Sequence, residues 1–247
     1  MLQQQPAFVA GATGYVGQAV VAQLAQLGHP VTAHVRPDSP RLSQWRHQFE
    51  TLGAKVDSTA WEAEALARTF RNNPPSVVFC LIGTTRARAA QLKRQGEDPA
   101  QASYETVDYG LTALLLEAAA LAGVRPRFVY LSALGTSSTA GGAYLKARWK
   151  AEEAVRASGL AHLIARPAII SGEHRGETRR GERLGAVLGD ALFAVPGLFG
   201  ATALKGRLSS IDAPTLARGL VHLALAPDFH GGVVHADLLR TAGRAAH

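Results

Sequence analysis

The chain contains a single cysteine, Cys80, among its 247 residues. One thiol excludes an internal disulfide and the multi-cysteine clusters that hold structural zinc. The histidines show no HExxH or similar ligand spacing, so we predict no metal site. The chain also lacks a run of about 18 apolar residues, and its start has no basic and then apolar segment. We therefore expect a soluble, cytoplasmic protein without a membrane span.

Negative charge is also scarce, because 19 acidic residues face 26 Lys and Arg residues and leave a net charge of +7. A basic surplus can indicate a nucleic-acid partner. Here the basic residues are scattered, and the densest run, EHRGETRRGER at 173–183, has no interleaved aromatic residues for base stacking. Nucleic-acid binding is therefore disfavoured, and an anionic cofactor explains part of the surplus. The apolar content of 47% indicates a globular chain.

Short apolar runs alternate along the chain with longer helical patterns, which is typical of a parallel sheet with helices on both faces. The predicted strands are 6–10, 30–35, 54–57, 76–82, 127–131 and 161–166. The predicted helices are 15–28, 39–52, 60–72, 103–123 and 142–158. From about residue 167 only loops and helices are predicted, the last helix within 211–226. We predict an α/β, doubly wound parallel sheet (Rossmann fold) over 1–173, with a small C-terminal substrate lobe at 174–247 that completes the same domain over the carboxyl ends of the strands.

A glycine-rich turn joins the first predicted strand to the first helix in AFVAGATGYVGQAVVAQLAQLG (7–28). Gly11, Gly14 and Gly17 let the backbone turn sharply, approach a pyrophosphate and pack the helix against the strand. The helix start then presents its amides and the positive end of its dipole to the phosphates. This context favours dinucleotide binding over the alternative, a glycine turn with a structural role alone.

The residues that end the second and third strands bear on which dinucleotide binds. NAD sites place a carboxylate after the second strand for the ribose hydroxyls, whereas NADP sites place a cation for the 2′-phosphate. In TAHVRPDS, Arg36 takes this position and favours NADP(H) over NAD(H). In the alternative, Arg36 is solvated and Asp38 does the work of the acid. Asp57, which closes the third strand, is a candidate for contact with the adenine edge or a turn aspartate.

Five motifs carry a family likeness: GATGYVG (11–17), VFCLIGTTRARAA (78–90), RFVYLSALGTSS (127–138), YLKARWKAEEAV (144–155) and ARPAIISGE (165–173). Together they resemble the atypical branch of the NAD(P)-binding short-chain dehydrogenase/reductase superfamily. Within that branch the chain resembles the Tat-interactive-protein oxidoreductase family and, more distantly, the NmrA-like regulators. The resemblance covers residues 6–173 well and the remainder only in outline.

The resemblance implies a set of cofactor contacts. The implied residues are Thr13, Gly14, Tyr15 and Val16 at the pyrophosphate, Arg36 at the 2′-phosphate, Leu81, Ile82 and Gly83 along the cofactor, and Pro167, Ala168 and Ile169 at the nicotinamide. Gly83 also has a physical reason, since a strand end beside a cofactor leaves little room for a side chain. The insertion from Thr84 to about residue 101 is either a lid or partner surface, or a loop whose arginines are only solvated.

In the superfamily, a tyrosine transfers a proton at the substrate oxygen, a lysine one helical turn later supports it, and a serine polarises the substrate carbonyl. Tyr144 matches the tyrosine, but Arg148 stands at the lysine position; it can still place a positive charge beside the tyrosine and bind ribose hydroxyls. Lys146 lies about 200° around the helix from Tyr144 and cannot substitute. Ser132 matches the first serine of the usual pair and Ala133 stands at the second. Ser132 is therefore either the polariser or a structural serine.

Two functional hypotheses follow from these residues. The first is an NADPH-dependent oxidoreductase on a small carbonyl or related substrate, with Tyr144 as proton donor, Arg148 as anchor and Ser132 as a candidate polariser. The second is a non-catalytic NADP(H)-binding module whose state is read by a protein partner. Both predict binding of a nicotinamide dinucleotide, and they differ in whether Tyr144 acts as an acid.

Overall fold

The structure is a computed structural model that describes residues 4–84, 94, 96, 98–171, 209–229 and 231–245. The strands are β1 (Ala7–Ala10), β2 (Val31–His34), β3 (Lys55–Asp57), β4 (Val77–Cys80), β5 (Arg127–Leu131), β6 (His162–Arg166), β7 (Ile170–Ser171), β8 (Ile211–Asp212) and β9 (Gly232–His235). The α-helices are α1 (Tyr15–Gln26), α2 (Leu42–Thr51), α3 (Ala63–Asn72), α4 (Leu111–Ala122), α5 (Ala143–Ala157), α6 (Ala213–Leu225) and α7 (Ala236–Ala245). A 3-10 turn at Pro99–Ala102 and a π-helix at Tyr104–Gly110 precede α4.

The main sheet is parallel and has the strand order β3-β2-β1-β4-β5-β6-β9. The separate strands β7 and β8 pair with each other, also in parallel. The order reverses between β1 and β4, because the chain proceeds outward on one side to β3 and on the other side to β9. Open α/β sheets bind ligands at such a switch point, outside the carboxyl ends of the strands. Here those ends lead into Gly11 and Leu81.

Apolar side chains cover both faces of the sheet, because successive strand residues point to opposite faces. In β1, Ala7 and Val9 pack with α1, α2, α6 and α7, whereas Phe8 and Ala10 pack with α3, α4 and α5. All four residues are buried. Burial on both faces explains why the strands are uninterrupted apolar runs in the sequence. The doubly wound fold predicted from the alternation of strands and helices is confirmed.

The C-terminal part of the chain differs from the sequence prediction. Residues 232–235 form β9, the strand at the edge of the sheet next to β6, although only loops and helices are predicted beyond 167. GVVH is too short to show a periodicity, and its hydrogen bonds come from a strand that is distant in the sequence. α6 packs against α1 and α7, so residues 211–245 complete the sheet and its helical layer. Residues 172–208, with about half of the predicted lobe, lie outside the described residues, and the boundary after 173 remains a prediction.

The predicted helix at 103–123 consists of two pieces, the π-helix and α4. Ser103 caps the first, since its Oγ accepts a hydrogen bond from the Thr106 amide at 3.0 Å. Gly123 ends the second with a left-handed φ of 70°. The apolar pattern predicts a helix but does not report its hydrogen-bond register, so the π-helix was not predicted. In the described part of the chain, no helix is both long enough and apolar enough to cross a membrane.

Candidate cofactor and active site

The glycine turn after β1 packs tightly against the end of β4 and against the first turn of α1. Gly11 has φ +83°, and a Cβ there would lie 2.7 Å from the carbonyl oxygen of Leu81, at the end of β4. A Cβ on Gly17 would overlap the carbonyl oxygen of Gly11, so the first turn of α1 sits directly on the loop. Both positions therefore require glycine, one for its backbone conformation and close approach and the other for close packing.

The start of α1 presents backbone rather than side-chain groups. Gly14 is the N-cap residue, is exposed and donates its amide to the Gly11 carbonyl at 3.0 Å. Thr13 and Tyr15 are half-buried and Val16 is buried. No side chain of the described residues caps this helix, so its first amides are the polar groups at this end. A backbone loop followed by a helix start fits a pyrophosphate group.

The loop that follows β2 holds the two residues that bear on cofactor selection. Arg36 Nη1 lies 2.9 Å from Asp38 Oδ2, and both side chains are exposed. Arg36 is thus at the surface beyond β2, as the sequence predicts, but its cation already has an acidic partner within the same loop. Any anion that binds this guanidinium has to compete with Asp38.

Asp57 is committed to a turn at the end of β3. Its carboxylate accepts hydrogen bonds from the Thr59 amide at 3.2 Å and from the Thr59 hydroxyl at 2.7 Å. Buried His34 lies next to it, with Nε2 2.9 Å from the Thr59 carbonyl and 3.7 Å from Asp57 Oδ2. Burial lowers the pKa of His34, and the Thr59 carbonyl and Asp57 carboxylate oppose this only in part. These contacts support the turn-aspartate interpretation of Asp57.

The chain leaves β4 through Leu81, Ile82 and Gly83. Leu81 and Ile82 are both 8% exposed, and the Leu81 amide donates to the Ala10 carbonyl at 2.9 Å, which joins this segment to the end of β1. A Cβ on Gly83 would come within 2.9 Å of Arg148 Nη2. The glycine therefore makes room for the guanidinium of Arg148. Thr84 follows, and its amide donates to Asp108 Oδ2 at 3.1 Å.

Arg148 reaches from α5 to the carboxyl ends of β4 and β5. Its Nη1 donates to the Leu131 carbonyl and to the Tyr130 hydroxyl, the latter at 3.3 Å. Its Nη2 donates to the Ile82 carbonyl at 3.3 Å. The side chain is almost completely buried. Within the described residues, Arg148 Nε is buried without a hydrogen-bond partner, so it is the guanidinium donor that these residues leave unsatisfied.

The counter-charge of Arg148 is Asp108, which the sequence analysis missed. Asp108 Oδ1 lies 2.7 Å from Arg148 Nη2, and the Asp108 side chain is 0% exposed. Burial by itself lowers the pKa of Arg148, but Tyr130, Tyr144 and Asp108 reverse this and hold the pKa well above its ordinary value. A signal was present in the sequence, because Asp108 shares a helix face with the uncharged residues Thr112 and Leu115, where an acidic residue requires a partner.

Tyr144 and Arg148 are brought together as their spacing predicts. The guanidinium carbon of Arg148 lies 5.3 Å from the centre of the Tyr144 ring. Tyr144 is half-buried in the first turn of α5 and makes an edge contact with Tyr104, with ring centres 5.2 Å apart. Lys146 is exposed on another face of the helix. Tyr144, Arg148, Ile82 and Gly83 therefore form one group at the carboxyl ends of β4 and β5.

Ser132 does not join this group. Its hydroxyl is buried and donates to Glu152 Oε1 at 2.6 Å. Glu152 is fully buried and also accepts hydrogen bonds from Arg156 at 2.7 Å and from Arg166 at 2.5 Å and 2.8 Å. The hydroxyl is thus part of a buried ionic network under α5, which supports the structural-serine interpretation. Ala133, at the position of the second serine, is buried and has no polar side chain.

Pro167, Ala168 and Ile169 leave the end of β6 and lead into β7. Pro167 is buried, and its carbonyl accepts from the Leu134 amide at 3.0 Å. Ile169 is half-buried, and its carbonyl accepts from the Ile211 amide at 2.9 Å. These bonds secure the segment to the loop after β5 and to β8. Residues 85–93, which form the first half of the predicted insertion, lie outside the described residues.

Comparison with known protein families agrees with a dinucleotide site at the carboxyl ends of the strands. A family described as NAD(P)H-binding matches residues 11–191, well over half of the chain. The chain belongs to the NAD(P)H-binding family of atypical short-chain dehydrogenases/reductases. A nicotinamide dinucleotide is therefore its cofactor class. Among the described residues, no three His, Cys, Asp or Glu side chains are grouped to hold a metal ion.

Two relatives and one solved structure are similar to this short-chain dehydrogenase/reductase in sequence or in fold. Protein fmp52-1, mitochondrial, of Aspergillus terreus is 31% identical over 166 residues, which are 66% of this chain and 65% of that protein. Protein TIC 62, chloroplastic, of Pisum sativum is 32% identical over 181 residues, 65% of this chain and 32% of that protein. The structure "AtPrR2 with NADP+ and (+)pinoresinol" has a TM-score of 0.65 at 16% identity, over 94% of this chain and 70% of that chain, and shows the shared fold.

These relatives correct one expectation. The prediction of a cytoplasmic protein is wrong by this comparison, because the named relatives are mitochondrial and chloroplastic proteins. The prediction rested on composition and on the lack of an apolar signal segment. Neither property distinguishes the cytoplasm from the interior of an organelle, since both are aqueous compartments that hold globular proteins.

Proposed function

We propose that this short-chain dehydrogenase/reductase is an NADP(H)-dependent oxidoreductase that acts on a small carbonyl-type substrate. The observation that carries the proposal is the approach of Tyr144 to Arg148, 5.3 Å from ring centre to guanidinium carbon, at the carboxyl ends of β4 and β5. Glycines at positions 11 and 17 hold the phosphate loop closed at the neighbouring strand end. A proton donor and a dinucleotide loop thus share one edge of the sheet.

In this proposal the protein residues bind the cofactor and move a proton. The nicotinamide supplies or accepts the hydride when it is bound. Tyr144 donates its phenolic proton to the substrate oxygen during reduction and takes it back during oxidation. Arg148 keeps a permanent positive charge beside the phenol and offers Nε to a ribose hydroxyl. Because an arginine stays protonated, it supports the tyrosine electrostatically and does not itself relay the proton.

The preference for NADP(H) is supported by Arg36 at the surface beyond β2. A guanidinium binds phosphate oxygens through charge-assisted hydrogen bonds, whereas the corresponding site for NAD has a carboxylate that accepts from the ribose hydroxyls. Asp38 lies close enough to Arg36 to serve as that carboxylate. NADP(H) is favoured because Arg36 is the first charged residue after β2 and its positive charge attracts the 2′-phosphate.

A second candidate function is a non-catalytic NADP(H)-binding module that a protein partner reads. A specific observation favours it, because the Ser132 hydroxyl is bound to Glu152 and Ala133 replaces the second serine. A site without a serine polariser loses one of the groups that stabilise the developing charge on a carbonyl oxygen. The two candidates make opposite predictions for turnover.

The deciding experiment is NADPH consumption over a broad panel of aldehydes and ketones, with Tyr144→Phe compared with the wild type. We expect the variant to lose about 100-fold or more in kcat, as is usual when a general acid is removed, while its Kd for NADPH stays within about twofold. Tyr109→Phe is the matched control, because Tyr109 is a neighbouring tyrosine that contacts Lys150 instead.

Two results decide against the oxidoreductase. Equal turnover by Tyr144→Phe and the wild type removes Tyr144 as the acid. Tight NADPH binding by the wild type with no consumption across the whole panel favours the binding module.

A further inference from the structure

A buried carboxylate of the π-helix connects the end of β4 to α5. Asp108 Oδ1 lies 2.7 Å from Arg148 Nη2, and Asp108 Oδ2 accepts the Thr84 amide at 3.1 Å. Asp108 is fully buried, and the guanidinium of Arg148 places a positive charge beside its carboxylate. π-helical turns are rare and occur frequently at functional sites.

The two terminal nitrogens of Arg148 are both occupied by the protein. Nη1 donates to the Tyr130 hydroxyl and the Leu131 carbonyl, and Nη2 contacts Asp108 and the Ile82 carbonyl. These partners lie on the ends of two strands and on the π-helix, so they fix the plane of the guanidinium. The remaining donor, Nε, is buried and lacks a partner within the described residues.

The same contacts hold the cation beside Tyr144. A guanidinium is planar and forked, so one bidentate or multi-acceptor site determines its orientation. A compact ammonium at this position has no such plane and needs no carboxylate to orient it. With arginine here, a counter-charge has to be present, because a buried cation without a partner destabilises the folded state strongly.

We propose that Asp108 is a positioning residue for the cofactor site: its carboxylate holds the Arg148 guanidinium across the ends of β4 and β5, leaving Nε to donate to a ribose hydroxyl of the dinucleotide. The inference rests on the proposed binding of NADP(H). It goes beyond that proposal by assigning the residue that neutralises and orients an arginine at this position. Asp108 touches neither substrate nor reacting atoms in this role and acts through Arg148.

The first test is the NADPH affinity of Asp108→Asn, which keeps the side-chain size and the acceptor for Thr84 but removes the negative charge. We expect the Kd for NADPH to rise about tenfold or more, the usual scale for losing a hydrogen bond to a charged group. The matched control is Glu105→Gln, which removes the exposed Glu105–Lys150 ion pair between the same π-helix and α5 and leaves Arg148 untouched. The control is expected to bind NADPH within about twofold of the wild type.

A double-variant cycle separates positioning from stability. Asp108→Asn, Arg148→Met and the combination of both are compared by NADPH Kd and by thermal unfolding, with affinity measured well below each unfolding midpoint. Because the two residues act as a unit, we expect the double variant to bind NADPH no more weakly than the weaker single variant. We also expect it to regain unfolding midpoint relative to Asp108→Asn, since no buried charge then lacks its partner.

In the double variant, stability therefore recovers while NADPH affinity stays low, which a merely structural ion pair does not produce. The inference is overturned if Asp108→Asn binds NADPH like the wild type, or if the double variant regains wild-type affinity together with its stability. If Asp108→Asn does not fold, the double variant decides, and wild-type affinity there overturns the inference. All readouts are binding and unfolding, so absence of turnover in the wild type counts against the oxidoreductase proposal alone.

Discussion

At the residue scale, the polar side chains of this site are arranged by partners that are remote in the sequence. Helix spacing predicts that Tyr144 and Arg148 share a face, and their 5.3 Å approach agrees with it. The same spacing does not reveal that Asp108 neutralises Arg148 or that Ser132 donates to Glu152. Those pairs depend on which helices pack over which strand ends, so only the folded chain brings them together.

Cofactor selection is a property of single residues and is tested by Arg36→Glu. We expect the Kd for NADPH to rise about tenfold or more, because the 2′-phosphate loses a charge-assisted partner and meets a second carboxylate beside Asp38. Both Kd values are measured by fluorescence titration, and the Kd for NADH is expected to change by less than about threefold. The control is Arg46→Glu, the same charge change on the exposed, Glu50-paired arginine of α2. Equal losses for the two dinucleotides in Arg36→Glu would refute the assignment.

At the element scale, two glycines have the same steric requirement in different places. A Cβ on Gly17 would overlap the Gly11 carbonyl oxygen in the phosphate loop, and a Cβ on Gly219 would overlap the Leu239 carbonyl oxygen where α6 crosses α7. The GxxGxxG spacing marks the first as functional in the sequence. Nothing in the sequence marks the second, because a helix crossing is decided by tertiary packing.

We expect Gly17→Ala and Gly219→Ala to differ in what they damage. In Gly17→Ala the loop or the start of α1 has to shift, so the NADPH Kd should rise about tenfold or more as the amides move. In Gly219→Ala the two helices are forced apart, which should lower the free energy of unfolding by about 1–3 kcal/mol and leave NADPH affinity nearly unchanged. Urea unfolding and NADPH titration of both variants check this. Similar affinity losses in both would contradict a specific role for the loop.

At the scale of the whole molecule, burial of His34 makes stability depend on pH. Burial lowers the pKa of His34 from 6.5, so below that pH the unfolded chain binds a proton that the folded chain does not. The unfolded state is therefore favoured as the pH falls, and the stability present above pH 6.5 is lost progressively below it. Near its carboxyl end, β2 holds this ring against Trp61, with ring centres 4.4 Å apart.

The predicted pH dependence is tested by urea unfolding between pH 7.5 and about pH 5. We expect the free energy of unfolding of the wild type to fall below pH 6.5, with at most about 1.4 kcal/mol per pH unit from one histidine. His34→Gln can still donate to the Thr59 carbonyl but does not titrate, so its curve should be flatter. His47→Gln changes an exposed histidine of α2 and serves as the control. A slope that His34→Gln leaves unchanged would rule out His34 as its source.

Local patterns in the sequence were enough to predict the doubly wound sheet, the glycine turn after β1 and the approach of Tyr144 to Arg148. These features depend on contacts close in the chain: alternating burial along a strand, a turn of three glycines, and two residues one helical turn apart. The tertiary structure alone decided that β9 joins the sheet, that a π-helix interrupts 103–123, and that Asp108 compensates Arg148. Each of those depends on partners brought together by packing, which a local periodicity does not encode.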